Sequence, residues 1–292
     1  MKVVDNPEEA RLSYSGVVGL VPTMGALHEG HLSLVEAARK SCDVVLMSLF
    51  VNPLQFDQKA DLERYPRDRD RDAALAEEAG VDILFAPPLE EMFPRDPLTT
   101  VMVAGVAEHL EGKYRHGHFA GVATVVVKLL ASLRPDKSYF GRKDHQQLVV
   151  VRTMAADLSF PVEIVGCPIV REPDGLALSS RNVFIEDRAA AVSISRGLMA
   201  AADAVDDGIR SGAALEGVVA EHLALDSVDY VTLASQALAA PLTTLDRPAF
   251  LAVAGRVGDV RLIDNLPVDM VGEMWVPDRG VRLGHASRLT AS

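Results

Sequence analysis

The chain has 292 residues and a net charge of −12 at neutral pH, with 49% hydrophobic and 24% charged residues. That length holds one large or two modest domains with a sizeable core. The acidic balance speaks against a broad nucleic-acid surface, which needs Lys and Arg against phosphates, but allows a local basic pocket. No apolar run reaches the ~18–20 residues of a membrane span. The N-terminus, MKVVDNPEEARLS, is polar and acidic and does not read as a signal peptide. Cys42 and Cys167 read as small core residues in a reducing cytoplasm, not as a disulfide framework.

Val17, Val18, Leu20 and Val21 predict a strand buried on both faces, stopped by Pro22. Thr23–Gly30 reads as a tight loop around Gly25 and Gly30, and from His31 the spacing of Leu32, Val35 and Ala38 predicts a helix. Strand, glycine loop and helix together aim backbone N–H groups at an anion. His28 and His31 stand at that mouth. Their spacing, with Gly30 between them, does not fit the H-E-x-x-H zinc helix. On this segment alone, two ordinary surface histidines fit as well as a nucleotide site.

Asp43–Phe50 predicts a second buried strand, broken at Asn52-Pro53, with Leu54-Gln55-Phe56 opening a loop. Gln58–Asp70 is charged and poor in core residues and reads as a solvated flap, followed by a helix through Ala79-Gly80. Asp82–Phe85 predicts a third strand, Ala120–Leu133 an apolar helix, Lys137–Phe140 a fourth strand, His145–Leu158 a helix and Val162–Val165 a fifth strand. This β/α alternation implies a Rossmann-like parallel sheet with right-handed crossovers. Three loops, Thr23–His31, Asn52–Phe56 and Gly141–Asp144, follow strand C-termini, the edge where such sheets bind ligands. Beyond Ile169 come a polar stretch (Val170–Asn182), two alanine-rich helices and three short strands. The expected division is a Rossmann-like domain, 1–169, and a smaller α+β domain, 170–292.

Lys143 just past a strand end can set a compact charge against a phosphate, and Ser179-Ser180-Arg181 can bring hydroxyls and a guanidinium to the same oxygens. Each cluster taken alone also fits a solvated turn. Asp144 reads as a helix N-cap. P-loop, dinucleotide and serine-hydrolase fingerprints are all absent from the sequence.

Five ordered blocks, PTMGALHEGHLSLV (Pro22–Val35), FVNPLQF (Phe50–Phe56), HFAGVATVVVKLL (His118–Leu130), YFGRKDHQQL (Tyr139–Leu148) and GLALSSRN (Gly175–Asn182), resemble the pantoate–β-alanine ligase family of the HxGH nucleotidyltransferase superfamily; RLIDN (Arg261–Asn265) is similar too. The resemblance implies ATP-dependent joining of pantoate and β-alanine through pantoyl adenylate, in a cytoplasmic homodimer using Mg²⁺, whose protein ligands it does not specify. It makes small molecules the partners, with no nucleic acid and no membrane. By similarity the catalytic residues are His28, His31, Lys143, Ser179, Ser180 and Arg181, with His31 the usual proton donor. The ATP site would comprise Met24, Gly25, Ala26, Leu27, His28, Glu29, Gly30, His31, Gly141, Arg142, Lys143, Asp144, Val170, Leu178, Ser179, Ser180 and Arg181. Gln55, Gln147, Met24, Arg115 and His118 would bind pantoate or β-alanine. Asp57–Arg67 and the second domain are the expected lid.

Two positions depart from the family pattern. Arg142 stands where an acidic residue is usual, which either strengthens phosphate binding or disturbs Lys143, and His116 stands where a proline is usual. The competing readings are another adenylyltransferase of the superfamily and a non-catalytic nucleotide-binding module.

Overall fold

The computed structural model describes residues 1–57 and 59–288. In chain order the elements are β1 (Lys2–Val4), α1 (Pro7–Leu12), β2 (Val18–Thr23), α2 (Glu29–Arg39), β3 (Val44–Leu49), α3 (Lys59–Arg64), α4 (Arg69–Glu78), β4 (Ile83–Phe85), α5 (Leu89–Met92), α6 (Glu111–Tyr114), α7 (His118–Leu133), β5 (Lys137–Gly141), α8 (His145–Asp157) and β6 (Glu163–Cys167). There follow β7 (Val170–Arg171), α9 (Arg188–Asp206), α10 (Gly212–Ala220), β8 (Ser227–Ser235), β9 (Ala249–Val257), β10 (Val260–Val271), β11 (Met274–Pro277) and β12 (Val281–Arg282). The chain forms two compact units. The first comprises Met1–Ala107, Glu111–Gly141 and Val150–Cys167; the second comprises Glu108–Leu110, Arg142–Val149 and the chain from Pro168 onward.

The first unit holds a six-stranded sheet in the order β1-β4-β3-β2-β5-β6, parallel throughout. Continuous apolar runs explain its centre: Leu20 and Val21 on β2 and Val45, Leu46 and Met47 on β3 are wholly buried, as strands covered on both faces require. Strand order reverses between β2 and β5, which makes their carboxyl ends the topological switch point where open α/β sheets take ligands.

Several boundaries differ from the sequence reading. Pro22 does not end β2, because it pairs with Ser48 and the strand runs on to Thr23. The ladder to β5 covers only Gly19 and Leu20, so the N–H that proline lacks is not needed on that side. β1 is an edge strand of three residues, too short to carry a period. The charged stretch expected to be a flap is helical on both sides of Arg67: α3 buries none of its residues, while α4 starts at an Asp68 cap and turns Asp72 and Ala76 inward. Gln58 lies outside the described residues. Cys42 and Cys167 are both free thiols.

The second unit has an antiparallel sheet, β11-β10-β9-β8, and a short parallel pair, β7 with β12. The alanine-rich faces of α9 and α10 pack on the sheet through Ile194, Leu198, Ala201, Leu215 and Val219 against Leu233, Leu251 and Leu266. Arg171 is 2% exposed and holds this unit together. Its guanidinium donates to both carboxylate oxygens of Asp264 at 2.6 and 3.2 Å, to the carbonyls of Gly175 and Asn265 at 3.3 Å, and through Nε to the Arg279 carbonyl at 3.1 Å. A buried arginine survives desolvation only when its donors are met in this way.

Candidate active site

In the first unit the chain leaves β2 through Met24, Gly25, Ala26 and Leu27 and enters α2 at His28. Gly25 (φ +90°) and Ala26 (φ +50°) are both left-handed. A Cβ on Gly25 would lie 2.8 Å from Asp72 Oδ2, so only glycine fits there. Asp72, 1% exposed, accepts from the N–H groups of Ala26 and Leu27 at 2.8 Å each, while Arg71 donates to the Leu27 carbonyl at 3.2 Å. Burial raises the Asp72 carboxyl above its ordinary range, although the two backbone donors and Arg71 pull the other way. Asp72 was not a candidate from sequence. It follows directly on the charged stretch Gln58–Asp70 that reads as solvated, and its partner is backbone 46 positions away.

The helix begins earlier than its apolar spacing suggests. His28 is the N-cap, and Glu29 and Gly30 lie in the first turn of α2. His28 Nδ1 accepts from the Gly30 N–H at 3.1 Å and His31 Nδ1 from the His28 N–H at 3.4 Å, a reciprocal capping box built from two imidazoles. Their rings lie 4.1 Å apart. Because Nδ1 of each ring accepts, the ring proton sits on Nε2, the donor atom a phosphate oxygen needs. The N–H groups of Ala26, Leu27, His28, Gly30 and His31 all have partners within the chain. These donors, expected to be open, are therefore already used within the chain, and the imidazole Nε2–H groups are the further donors the turn carries.

A second cluster of the first unit forms at the end of β3. Asn52, almost fully buried, donates to Gln55 Oε1 and to the Gly121 carbonyl, both at 3.1 Å. Arg115 donates to His118 Nε2 at 3.0 Å, which puts the His118 proton on Nδ1, 2.9 Å from the Gln55 carbonyl. Gln55, Arg115 and His118 are thus brought together, and Asn52 is the unforeseen residue that orients the Gln55 amide. α7 approaches this turn so closely that a Cβ on Gly121 would fall 2.2 Å from the Leu54 carbonyl oxygen.

In the second unit Lys143, Ser179 and Arg181 line one small, partly open cavity together with Asn182, Arg261 and Asp264. Ser179 caps the 3-10 turn Ser180–Phe184 by accepting from the Arg181 N–H at 3.3 Å, which leaves its hydroxyl hydrogen to donate. Among the described residues the Arg181 guanidinium meets no carboxylate. Lys143 touches Asp144 at 3.3 Å, a contact between adjacent, partly exposed side chains that a phosphate would outcompete. Asp144 is the last residue of a 3-10 turn, Arg142–Asp144, that runs directly into α8 at His145. Ser180 is half-buried beside the cavity lining, and Gln147 is half-buried on the first turn of α8. Val170 and Leu178 are joined by a backbone hydrogen bond of 3.0 Å with both side chains buried, so they offer only main chain to a ligand. Gly141 is the last residue of β5.

Arg142 bonds to Asp269 at 2.8 Å and to Asp278 at 3.2 Å. Its charge is paired with two carboxylates of the second unit. Burial favours a neutral Asp269, but hydrogen bonds from Arg142 and Gln236 outweigh it and hold the carboxyl below its usual range. Among the described residues no three His, Cys, Asp or Glu side chains gather as a metal cage, and no helix is long and apolar enough to cross a membrane.

Strand order and the histidine pair at the head of α2 put the chain among the Rossmann-like α/β enzymes. A family model described as pantoate-beta-alanine ligase matches residues 2–267, and the chain belongs to that family. It is 52% identical over 259 residues to a pantothenate synthetase of Cereibacter sphaeroides, covering 86% of this chain and 91% of the relative. It is 51% identical over 273 residues to one from Chloroflexus aggregans, covering 91% and 99%. Among solved structures, pantothenate synthetase from Thermus thermophilus superposes with a TM-score of 0.87 at 47% identity over 91% of this chain and 99% of that one. A pantoate–β-alanine ligase from Francisella tularensis, complexed with beta-gamma ATP and β-alanine, gives 0.71 at 32% identity over 91% and 97%.

Proposed function

We propose that the chain makes pantothenate by activating pantoate with ATP and passing the acyl group to β-alanine. A pantoate carboxylate oxygen attacks the α-phosphorus, the bond to the pyrophosphate oxygen breaks, and pantoyl adenylate forms. The β-alanine amine then attacks the acyl carbon, AMP leaves as the C–O bond breaks, and the amine proton goes to solvent or a base. Lys143, Ser179 and Arg181 in one cavity are the observation that carries the reading, because an ammonium, a hydroxyl and a guanidinium together suit the charge that grows on departing pyrophosphate. By the family resemblance His28 and His31, with their Nε2–H donors, are also assigned to phosphate binding. The role of His31 is mainly electrostatic, since pyrophosphate is a weak base and gains little from a proton. Gln55, with Arg115 and His118 behind it, and Gln147 bind pantoate. Gly141, Asp144, Val170 and Leu178 frame the adenosine.

Mg²⁺ fits as an ion carried on the triphosphate: the described residues supply no three-ligand cage, and Mg²⁺ takes substrate phosphates and water more readily than all-protein sites. When bound it neutralises β- and γ-phosphate charge. We assign residues 1–169, with Val170, Leu178, Ser179 and Arg181, to nucleotide and pantoate binding, and the rest of 170–292, with Asp57–Arg67, to shielding the adenylate from water. The enzyme works as a cytoplasmic homodimer. The test is ATP–pyrophosphate exchange: label should enter ATP when pantoate is present without β-alanine. Exchange that requires a phosphorylated substrate, or ATP binding without AMP formation, would refute the reading.

A further inference from the structure

Among the described residues Lys143 is the one lysine lining the cationic cavity, and its own contacts do little to fix it. The turn that carries it is held from outside, by β10. Alternation along that strand puts Asn265 and Asp269 on one face and Asp264 on the other. Asn265, 3% exposed, donates its amide hydrogens to two consecutive carbonyls, Arg142 O at 3.0 Å and Lys143 O at 2.7 Å. Its Oδ1 is buried and finds no donor among the described residues, so this side chain is present for its two N–H groups. Four residues along the same face, Asp269 takes the Arg142 guanidinium at 2.8 Å, with Asp278 adding a contact at 3.2 Å. Gln236 braces Asp269 from behind at 2.8 Å. Asn265 is itself fixed, because its N–H donates to Asp264 Oδ1 at 2.7 Å and its carbonyl accepts from Arg171. Backbone and side chain of one turn are thus gripped by one strand face.

We propose that Asn265 is a positioning residue for Lys143, acting with the Arg142–Asp269 pair, so that β10 sets where the ammonium meets the phosphates. This rests on the reading of Lys143 as a phosphate-binding group. Loss of the amide frees two carbonyls and lets the turn shift, and a displacement of about 1 Å at such a group costs roughly 100-fold in turnover.

The test is a double-mutant cycle on the full chain, read by pantoate-dependent ATP–pyrophosphate exchange with thermal melting alongside. Asn265→Ala should cut exchange roughly 100-fold when Lys143 is present, but less than about two-fold in a Lys143→Ala background. Should Asn265→Ala not fold, Arg142→Gln, which removes the side-chain tether and leaves the backbone grip, should show the same dependence on Lys143. Equal losses in both backgrounds would overturn the positioning role and leave the phosphate reading standing. A Lys143→Ala chain that exchanges as fast as the parent would overturn both.

Discussion

The carboxylate of Asp72 holds the backbone of Leu27, accepting its N–H at 2.8 Å while the neighbouring Arg71 holds its carbonyl. A left-handed two-residue bend just before the histidine pair is kept in shape by one buried acid. The acid is strained for it, since burial favours its neutral form. Its raised folded-state pKa means that ionisation works against the fold as pH rises through that value. Asp72→Asn relieves that charge but turns an NH₂ toward one of the two N–H groups. Pantoate-dependent exchange should fall at least ~10-fold while thermal stability moves by no more than ~1 kcal/mol. Parallel losses in both would mean that Asp72 serves only the fold.

Lys143→Ala should lower the adenylation rate by about 10²–10³, the usual cost of removing one donor aimed at developing charge, and leave the melting temperature near that of the parent. Stopped-flow or exchange measurements decide it, and near-normal rates would remove Lys143 from the chemistry.

Gln147→Ala should raise the KM for pantoate by roughly ten-fold or more, the cost of a lost hydrogen bond to a charged ligand, with much less change for ATP. Steady-state kinetics with each substrate varied in turn reads the split. Equal changes would count against Gln147 as a pantoate group.

Gly121→Ala would drive a methyl into the Leu54 carbonyl, which lies 2.2 Å from the Cβ position. Overpacking against backbone costs typically 1–3 kcal/mol. Urea unfolding should show a loss of about that size. Pantoate binding should weaken too, because the displaced turn carries Gln55.

Asp269 has a folded-state pKa below its ordinary 3.8. Its ionised form therefore stabilises the native chain fully above that value, and the contribution is lost as pH falls through the depressed one. The stability gap between the parent and Asp269→Asn should be constant above pH 3.8 and shrink below it. Urea midpoints measured across that range give the gap directly.

The sheet was legible because its central strands are buried on both faces and read as unbroken apolar runs; Asp43–Phe50 is the clearest. The histidines, Lys143 and the Ser179–Arg181 loop stood out as candidates because they sit in turns after strands or in a polar loop between elements. The residues that hold them were not. Asp72, Asn52 and Asn265 act on backbone carbonyls and amides far away in sequence, and no local period marks such a partner. Pro22 misled because proline ends most strands, while here the neighbouring ladder stops short of it. The partners of Arg142, Asp269 and Asp278, were not legible either, since they lie more than a hundred residues downstream and only the fold brings them near.

The Arg171 hub has a consequence for how the second unit comes apart. It ties segments 93 positions apart, and breaking it would strand Asp264 without its counter-ion in a buried place. Half-open forms of this region are therefore disfavoured, and amide protons around Val170–Leu178 and along Asp264–Val268 should exchange with deuterium together, as one foldon that loosens all at once or not at all.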